Sequence, residues 1–600
     1  MSLPLPPSDN DAPTCNNKPN TTPSTLLLSE ATATLQLIAA SGIEFFNSPA
    51  CRELRKALEP LLSFVRASQF GGCDPAAFRD NAQLRADALA RRRRDAAHDA
   101  THVSSTRLRA ARVTRLAEIV ALGEMVGVDV PRVLDGAAAV QHDIAPGLLT
   151  NDDIPLLPSL QSPRFCYVCK KKFLHLHHFY DALCPRCASF NWEKRTSTCD
   201  ASGRVFIVTG ARVKIGFHVT LKLLRAGARV IATSRFPTDL ARRLAAESDA
   251  SEWADRVSTF GLDLRHVGAT EAFATFLLAT EERIDGLINN ACQTVRRPPA
   301  YYAAIVGREE EELTGLAHQI CCNGGREPSL AIYTTTLTHP STTLSSSATA
   351  ALLPLLSTDI AATATAATLF PIGAVDAAGS QLDLRKTNSW SLRLGEIETG
   401  EAAETLLINT LAPFILAGRL RGRLGARAAG ALPPRWLAVR GLQPLTVAQA
   451  LEGGPSLSPR ESGNVLGEVS PPSVLLDIGI VSWVINVSAV EGKFARESKQ
   501  PSHPHTNMAK AALNMMTRTC ARDYACAGIF MNSVDTGWIN DENPGSKAER
   551  IAVEHNWVTP LDEEDAAARI LDPVFSGIRE GVEKGFVFGA FLKDYHTSEW

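Results

Sequence analysis

The middle of the chain alternates between strand-like and helix-like segments, and this alternation constrains the fold more than any other feature of the sequence. The segment "RVFIVTG" is a short apolar run rich in β-branched residues and ends in Gly210, which is typical of a buried strand. "FHVTLKLLRAGA" follows with apolar residues at helical spacing, and "RVIATSR" is the next strand. Strand, turn, helix and strand form a βαβ unit, so the sequence predicts a parallel sheet with right-handed crossovers.

The turn of this unit reads "TGARVKIG", from Thr209 to Gly216, and is suited to binding a phosphate group. Gly210 permits a tight turn. Gly216 lets the start of the helix approach a pyrophosphate, whose negative charge favours a helix N-terminus. The turn does not match the G-x-G-x-x-G fingerprint, so its meaning depends on the segments that follow it.

Those segments appear in a characteristic order. "TFGLDL" and "IDGLINNAC" predict a third and a fourth strand, "ETLLINTLAPFILAGRL" predicts a helix, and "VSWVINVSAVEGKF" predicts a fifth strand. The helix "SHPHTNMAKAALNMMTRT" and the segment "IFMNSVDTGWI" complete the series. In this order the segments resemble the short-chain dehydrogenase/reductase family over about residues 203–600, apart from two insertions. That family pairs a TG-x3-G-x-G turn with an NNAG strand end, a Ser–Tyr–Lys set and a PG motif after the sixth strand.

The resemblance implies that three groups of residues bind a nicotinamide cofactor. They are Thr209, Gly210 and Gly216 at the pyrophosphate, Asp263, Asn289 and Ala291 on the adenosine side, and Asp535, Thr536 and Gly537 at the nicotinamide amide. For Asn289 a purely structural role, capping or bracing the sheet, is an equal alternative.

The resemblance also implies a catalytic set. Lys510 would hold the nicotinamide ribose, Ser488 would orient a substrate carbonyl, and Asn409 would anchor a proton-relay water. Asn409, like Asn289, has bracing of the fold as its alternative role, and a buried hydroxyl bonded to backbone is the alternative for Ser488.

Four positions depart from the family pattern. Lys214 stands at the middle glycine of the turn, Cys292 replaces the glycine of NNAG, and Thr536 replaces the proline of the PG motif. The fourth departure is Thr506, four residues before Lys510, where the family has tyrosine. A phenol near a lysine exchanges its proton near neutrality, whereas an aliphatic hydroxyl does not ionise there. Thr506 is therefore expected to relay or orient a hydrogen bond and to be a poor acid, which removes a contribution of about 10²–10⁴-fold to the rate.

Two other groups are candidates to replace the missing acid. His503 and His505 lie just before the predicted helix, and the ordinary pKa of a histidine suits proton transfer near neutral pH. An ordered water held by Asn409 and Lys510 is the second candidate. Exposed loop histidines without a catalytic role are the alternative interpretation.

Charge near the adenosine ribose favours NADP(H) over NAD(H). A site for NAD usually places an acidic residue after the second strand, but here that strand ends at Arg235, and the turn carries Arg212 and Lys214. Cations at these positions suit a 2′-phosphate, because guanidinium–phosphate hydrogen bonds are charge-assisted. The alternative is that the three are surface charges.

A second motif precedes the nucleotide-binding region. Cys166 and Cys169 form one C-x2-C pair, and Cys184 and Cys187 form another. Two such knuckles place four thiolates around one tetrahedral Zn²⁺, and this closed site leaves no position for water or substrate. The sequence predicts a structural zinc, which in so small a module replaces a hydrophobic core. Histidines between the knuckles are alternative ligands.

Composition indicates a globular protein. The 600 residues are 45% hydrophobic and 21% charged, with a formal net charge of −3. Such a balance gives no electrostatic reason to expect binding to nucleic acid or to anionic membranes. The start "MSLPLPPSDNDAP" lacks the pattern of a secretory signal, and no apolar run reaches the roughly 18 residues of a spanning helix. An intracellular, cytoplasmic location is expected.

The predicted architecture is α/β: a Rossmann-type doubly wound parallel sheet, preceded by a helical region and a small zinc-ribbon-like module. Its parts are a disordered start at 1–25, a helical region at 26–145, a four-cysteine zinc module at 160–197, and a Rossmann domain at 203–600 with insertions at about 297–400 and 421–472. Both insertions are rich in small or flexible residues and are expected to extrude as partly disordered loops at the edge of the substrate pocket.

The predicted function is NADP(H)-dependent oxidation or reduction at a carbonyl or alcohol carbon of a small molecule. The alternative is a cofactor-binding protein without turnover, which contacts a protein partner through its zinc module or helical region. A zinc protein that binds RNA or DNA is a third option with less support, because few basic and aromatic residues alternate. The substrate and the oligomeric state are not determined by the sequence.

Overall fold

The structure is a computed structural model. The residues that it describes are 25–70, 75–114, 159–323, 347–352, 359, 366–372, 374, 380–424, 481–496, 499–540, 542–544, 551, 557–584 and 586–600. The predicted disordered start and nearly all of the predicted insertion at 421–472 lie outside these residues.

The chain divides into two compact units, Met1–Ala97 and His98–Trp600. The first unit is helical where it is described. Its helices are α1 (Thr25–Ala40), α2 (Gly42–Asn47), α3 (Arg52–Phe70) and most of α4 (Pro75–Ser104), which continues into the second unit. A helical region therefore precedes the α/β part of the chain, as predicted from the sequence.

The second unit begins with the four-cysteine module. A short antiparallel hairpin, β1 (Arg164–Phe165) and β2 (Lys172–Phe173), carries the first cysteine pair, and α5 (Pro185–Thr196) starts at the second pair. The pairs thus follow the usual zinc-knuckle pattern of a hairpin turn and a helix start.

The centre of the second unit is an eight-stranded sheet. Its strands are β3 (Val205–Thr209), β4 (Arg229–Ser234), β5 (Val257–Gly261), β6 (Gly286–Asn289), β7 (Ser482–Ser488), β8 (Ile529–Asp535), β9 (Phe591–Lys593) and β10 (His596–Ser598). The order across the sheet is β10-β9-β8-β7-β6-β3-β4-β5. Every neighbouring pair is parallel except β9 and β10.

Helices cover both faces of this sheet. They are α6 (Lys214–Arg225), α7 (Pro237–Ala245), α8 (Val267–Thr280), α9 (Pro299–Glu309), α10 (Gly315–Cys322), α11 (Thr399–Leu406), α12 (Ala412–Leu424), α13 (Pro504–Cys526) and α14 (Glu563–Lys584), with short helical turns at Ser347–Ala350 and Ala366–Leu369. This is the predicted doubly wound Rossmann-type fold.

The position of β3 inside the sheet explains why its sequence is apolar throughout. Phe206 and Val208 face one core, which includes α6 and α14, whereas Ile207 faces the other, which includes α8 and α12. A parallel strand buried on both faces has no solvent side and therefore no alternation of polar residues. Because β4 and β6 lie on opposite sides of β3, the strand order reverses at this point, where ligands of such folds bind.

The four-cysteine module packs against the start of α14. Its apolar side chains, among them Tyr180 and Leu183, share one core with Leu561, which is fully buried. The Tyr180 hydroxyl donates to a carboxylate oxygen of Asp565 (2.5 Å), and Arg195 pairs with three acidic side chains at the start of α14. The module therefore has an apolar core that it shares with the sheet domain, which the expectation of a metal-only core did not include.

The first insertion is partly structured, contrary to the expectation of an extruded loop. Its beginning forms α9 and α10, and Tyr302, Ile305 and Val306 of α9 are buried in a core cluster with Phe236. The prediction relied on the Ala/Thr/Ser-rich composition of the whole insertion and overlooked helical apolar spacing in "YYAAIV". Among the described residues, no helix is long and apolar enough to cross a membrane.

Candidate active site and cysteine cluster

A cavity of about 1880 Å³ lies at the carboxyl ends of the parallel strands. One end is lined by Arg212 and Arg235, near the second strand of the βαβ unit, and the other by Ser488 and Lys510. Ligand clefts usually measure about 300–1,000 Å³. The larger volume suits a long ligand that reaches across the sheet.

The glycine turn lines the cavity at Gly210 and Gly216. Gly210 has φ of 68°, and a Cβ on Gly216 would lie 2.2 Å from the Gly210 carbonyl oxygen and 2.4 Å from the Asn290 amide nitrogen. Asn290 closes the turn by donating to the carbonyl oxygens of Thr209 (3.0 Å) and Gly210 (3.3 Å). Both glycines are therefore required by the packing of the turn itself.

The backbone of Lys214 explains why the family has glycine at this position. Its φ of 55° lies in the left-handed region, which costs a residue with a Cβ roughly 1–2 kcal/mol. The side chain lines the cavity at the start of α6. A strained backbone at a ligand cleft is a common feature of functional sites, and here the lysine adds a positive charge beside the turn.

Thr209 and Asn289 connect strands and do not line the cavity. The Thr209 hydroxyl accepts from the backbone N–H groups of Asn290 (3.0 Å) and Ala291 (3.1 Å), and so joins β3 to the end of β6. The Asn289 amide donates to Asn486 (2.8 Å) inside the sheet. These contacts favour the bracing role for Asn289, while Ala291 does line the cavity.

The adenosine end of the cavity is rich in guanidinium groups. Arg235 donates to the Tyr302 hydroxyl (2.9 Å) and lies over the Tyr302 ring. Arg212 pairs with Asp239 (3.0 Å), which Arg243 also contacts (2.7 Å). Arg308 also lies within 3.6 Å of Asp239, so one carboxylate is shared among three arginines, and with Arg235 nearby this group of side chains has a net positive charge.

Asp263 lies just after β5, the strand next to β4, and lines the same region. Burial alone would raise its pKa, but the guanidinium of Arg265, which donates to both carboxylate oxygens, lowers the pKa below its ordinary value. If Asp263 contacts the adenosine of a cofactor, as the resemblance implies, the adenosine would share an acceptor that is already paired with Arg265.

Ser488 and Lys510 meet at the opposite end. The Ser488 hydroxyl donates to the side-chain oxygen of Asn514 (2.6 Å), and the Lys510 ammonium donates to the Val487 carbonyl oxygen (2.7 Å). Both side chains are nearly fully buried and line the cavity. Asn514 stands one helical turn after Lys510 on α13, so both face the end of β7.

Asn409 lies at the centre of a π-helical segment, Leu407–Leu411. Its amide exchanges two hydrogen bonds with the backbone of Gln293, donating to the carbonyl (3.0 Å) and accepting from the N–H (2.8 Å). Single-turn π-helical segments occur frequently at functional sites. The Asn409 side chain holds the loop after β6 in place and does not line the cavity. Its neighbour Ile408, in the same π-helical segment, does line it.

Thr506 and His505 do not line the cavity. The Thr506 hydroxyl contacts His505 (3.4 Å) and the Thr294 carbonyl (3.5 Å). His505 lies 4.0 Å from Glu401, and burial lowers its pKa below the ordinary value. The His505 ring faces Glu401 of α11, whereas the Thr506 hydroxyl contacts Thr294, a residue that does line the cavity.

His503 does line the cavity but is held in place by Trp390. The two rings stack at 4.0 Å with an angle of 6°, and the His503 Nδ1 lies 2.9 Å from the Trp390 carbonyl oxygen. His503 also has φ of 44° at the start of α13. The first insertion thus supplies a wall of the cavity at this point, as its position in the sequence predicted.

The loop after β8 closes the cavity on the side of the four-cysteine module. Asp535, Thr536 and Gly537 line it, and the backbone N–H of Trp538 donates to the hydroxyl of Tyr167 (3.0 Å), which lies between Cys166 and Cys169 in the sequence. The first cysteine knuckle therefore contacts the loop that the resemblance places at the nicotinamide amide.

The four predicted cysteines come together. Their sulfur atoms lie within 4.8 Å of one another, and this is the one cluster with the geometry of a metal site among the described residues. Cys184 stands at the N-cap position of α5 and Cys187 lies in its first turn, where the helix dipole favours anions, but burial raises the pKa of both thiols above the ordinary value. A hydrogen bond from the Lys171 backbone lowers the pKa of Cys169 to about 7. These contacts are typical of a thiolate metal centre.

Comparison with known proteins finds similarity to one family over part of the chain. A family model described as short chain dehydrogenase matches residues 204–304. This part of the chain is similar to the short-chain dehydrogenase family. Dehydrogenase/reductase SDR family member 13 of Bos taurus is 38% identical over 102 residues, which cover 16% of this chain and 26% of that protein. The chain therefore spans about a quarter of that relative's length.

Two further similarities extend over more of the chain. An uncharacterized protein of Acanthamoeba polyphaga mimivirus is 24% identical over 454 residues, covering 73% of this chain and 76% of that protein. Among solved structures, an NADPH-bound carbonyl reductase from chicken fatty liver is 15% identical, covers 66% of this chain and 100% of that chain, and has a TM-score of 0.34.

Sequence reasoning missed several residues of the site. Asn290 was quoted as part of the end of the fourth strand and was given no role. Its position directly after β6 lets its amide donate to the glycine turn. Asn514 could have been found by its spacing of four residues from Lys510. Tyr167 gave no signal, because only the packing of the module brings it to the cavity.

Proposed function

We propose that the chain is an NADP(H)-dependent oxidoreductase that acts on a carbonyl or alcohol carbon of a small molecule. One observation supports this most strongly. A single cavity is lined both by the glycine turn, at Gly210 and Gly216, and by the buried pair Ser488 and Lys510. If the pyrophosphate of a nicotinamide cofactor binds at the glycine turn, the nicotinamide ring would lie toward Ser488 and Lys510.

The residues present fit such a cofactor. A Cβ at Gly216 would fill the space between the turn and the helix start, and backbone N–H groups at the start of α6 favour phosphate oxygens. Arg212, Arg235 and Lys214 supply charge for a 2′-phosphate. When bound, NADPH supplies a hydride to a carbonyl carbon.

The other residues would bind and orient. Ser488 would donate a hydrogen bond to the substrate carbonyl oxygen, in place of its present bond to Asn514. Lys510 would turn from the Val487 carbonyl to the nicotinamide ribose. Thr536 and Gly537 would contact the nicotinamide amide, and the π-helical segment around Asn409 would hold a water near Lys510.

Removing the Lys510 ammonium is expected to abolish most NADPH-dependent reduction. In the variant Lys510→Ala, turnover should fall by about 10²-fold, because the nicotinamide ribose loses the group that positions it, whereas the exposed Arg518→Ala on the same helix should leave it unchanged. The turnover of both variants is measured as the decrease in NADPH absorbance, with a panel of aldehydes and ketones as substrates. Equal rates in the two variants would contradict the proposal.

Cofactor preference depends on Arg235. We expect wild-type protein to bind NADPH more tightly than NADH, and Arg235→Ala to weaken NADPH binding by about 10- to 100-fold while NADH binding changes little, since a charged hydrogen bond contributes about 1.5–3 kcal/mol. Arg229→Ala is the matched control, because Arg229 begins the same strand but pairs with Glu281 (2.7 Å). Fluorescence titration measures these affinities; tighter binding of NADH by the wild type would refute the preference.

We further propose that the cysteine cluster binds one structural Zn²⁺. Four thiolates close the tetrahedral coordination of the metal and exclude substrate. The contact between Tyr167 and the loop after β8 would make that metal a support of the cavity wall. A location inside the cell, where thiols stay reduced, suits this site.

A second candidate function is cofactor binding without turnover. The observation in its favour is Thr506, which replaces the family's tyrosine and does not line the cavity. In that case NADPH would bind, but no substrate in the panel would be reduced by wild-type protein. The module or the helical region would then provide the contact with a protein partner.

A further inference from the structure

In the family a tyrosine donates the proton to the substrate carbonyl. In this chain another acidic group, Asp535, lies at the end of β8. Asp535 is the partner of Ser488 in the register of the parallel strands β7 and β8. Neighbouring strands lie about 4.8 Å apart, and partner side chains of adjacent strands point to the same face of a sheet. The Asp535 carboxyl group and the Ser488 hydroxyl therefore lie side by side, and both residues line the cavity.

The face on which they lie is the face of α13. Ser488 bonds Asn514 of that helix, and Ser533, two residues before Asp535 on its strand, donates to Thr517 of the same helix (2.8 Å). Side chains two residues apart on a strand share a face. Asp535 therefore lies on the side of the sheet that also carries Lys510.

The Asp535 carboxyl group is buried, and its hydrogen bonds within the fold leave one oxygen available. Its Oδ1 accepts the backbone N–H of Val490 (3.2 Å), and the residue is 3% exposed. Within the described part of the chain, no cation lies within salt-bridge distance of it; the nearby ammonium of Lys593 pairs with Asp594 (2.5 Å) instead. A buried carboxyl group without a cationic partner is poorly stabilised as an anion.

The charged and titratable groups around Asp535 come from several elements. They are Lys593 and Asp594 at the end of β9, Glu491 and Lys493 in the loop after β7, Arg569 of α14, and Tyr167 of the cysteine module. Burial raises the pKa of Asp535 to about 6, and the neighbouring Glu491 and Asp594 add to this effect while Lys593 and Arg569 oppose it.

We propose that Asp535, in its protonated form, is the catalytic acid of this chain and replaces the tyrosine of the family. The proposal rests on the function proposed above. A substrate carbonyl held by Ser488 would lie within reach of a carboxyl group on the adjacent strand. As the carbonyl carbon accepts the hydride, the O–H bond of Asp535 breaks and its proton moves to the carbonyl oxygen. The products are an alcohol, oxidised cofactor and the Asp535 carboxylate, which regains a proton from solvent.

The rate of reduction should fall as the pH rises, because the reaction requires the protonated carboxyl group. The pKa of Asp535 near 6 predicts the highest rate below about pH 6 and a tenfold fall per pH unit above it. Oxidation of the alcohol requires the carboxylate and should rise with pH over the same range. A tyrosine acid would instead sustain reduction up to higher pH.

The test uses Asp535→Asn, which keeps an oxygen to accept the Val490 N–H but has no acidic proton. We expect reduction to fall by about 10²–10⁴-fold, with the affinity for NADPH unchanged. Adding Thr506→Tyr to that variant should restore at least part of the rate and shift the pH profile upward, which a structural role of Asp535 would not produce. Asp523→Asn, at an exposed aspartate of α13 paired with Arg421, is the matched control.

A second measurement does not depend on turnover. Infrared titration of cofactor-free protein should show a carboxylic acid C=O band that disappears with a midpoint near pH 6 and is absent in Asp535→Asn. If Asp535 is ionised down to pH 4, or if Asp535→Asn reduces substrate at the wild-type rate, the assignment is wrong even where NADPH binds. Failure of wild-type protein to bind NADPH would instead refute the proposed function.

Discussion

Replacing Gly216 by alanine is expected to weaken NADPH binding by about 100-fold or more. The added Cβ would lie 2.2 Å from the Gly210 carbonyl oxygen and 2.4 Å from the Asn290 amide, so the turn must open. Overpacking of this kind costs typically about 1–3 kcal/mol, and every 1.4 kcal/mol is tenfold in affinity. The loss falls on the cofactor because the same turn lines the cavity. Fluorescence titration with NADPH measures it.

The control for this variant is Gly422→Ala. Gly422 lies on α12 and does not line the cavity, and a Cβ added to it would meet no atom within 4 Å. Alanine is the better helix former by about 1 kcal/mol, so the control should be slightly more stable and bind NADPH normally. If Gly216→Ala binds NADPH with wild-type affinity, the turn is not where the pyrophosphate lies.

Replacing Cys184 by serine is expected to remove the metal and loosen one wall of the cavity. Structural zinc contributes an apparent free energy of about 10–16 kcal/mol to the folding of small peptides, and a thiolate set reduced to three ligands loses most of this affinity. We expect zinc content to fall from about one per chain, as four ligands to one ion imply, to near zero. Thermal stability should fall as well, because the core around Tyr180 is shared with α14.

The effect of the metal should extend to the cofactor. The first knuckle holds Tyr167 against the N–H of Trp538, directly after the loop predicted to contact the nicotinamide amide. Cys184→Ser should therefore bind NADPH more weakly than Cys199→Ser, whose thiol lies outside the cluster and has similar intermediate exposure. Metal analysis, thermal melting and NADPH titration measure the three effects. Full zinc content in Cys184→Ser would refute the four-thiolate site.

Much of the fold was predictable because it depends on local patterns. The strand at Val205–Thr209, the glycine turn and the strand ending at Ser488 each carry their signal in a few consecutive residues. Their order in the chain then indicated a doubly wound parallel sheet, and the structure adds the order of its strands. The paired cysteines were equally readable, since ligand spacing determines the geometry of a knuckle.

The parts that were not predictable depend on contacts between distant segments. No pattern near Tyr167 shows that it meets Trp538, 371 residues away in sequence. His505 was considered as an acid because it was expected in the loop before the helix, but it lies in the first turn of α13, beside Glu401. Asp535 was assigned by resemblance to the cofactor, and only the pairing of β7 with β8 shows that it lies beside Ser488.

The central claim is hydride transfer between NADPH and a carbonyl carbon in this cavity. It is tested most directly by incubating the protein with aldehydes or ketones and NADPH that carries deuterium at C4 of the nicotinamide on either face. Mass spectrometry of the products should find an alcohol with one deuterium on the carbinol carbon from one of the two labelled faces, and none with Lys510→Ala. Tight binding of NADPH by the wild type with no labelled alcohol across the panel would contradict the claim.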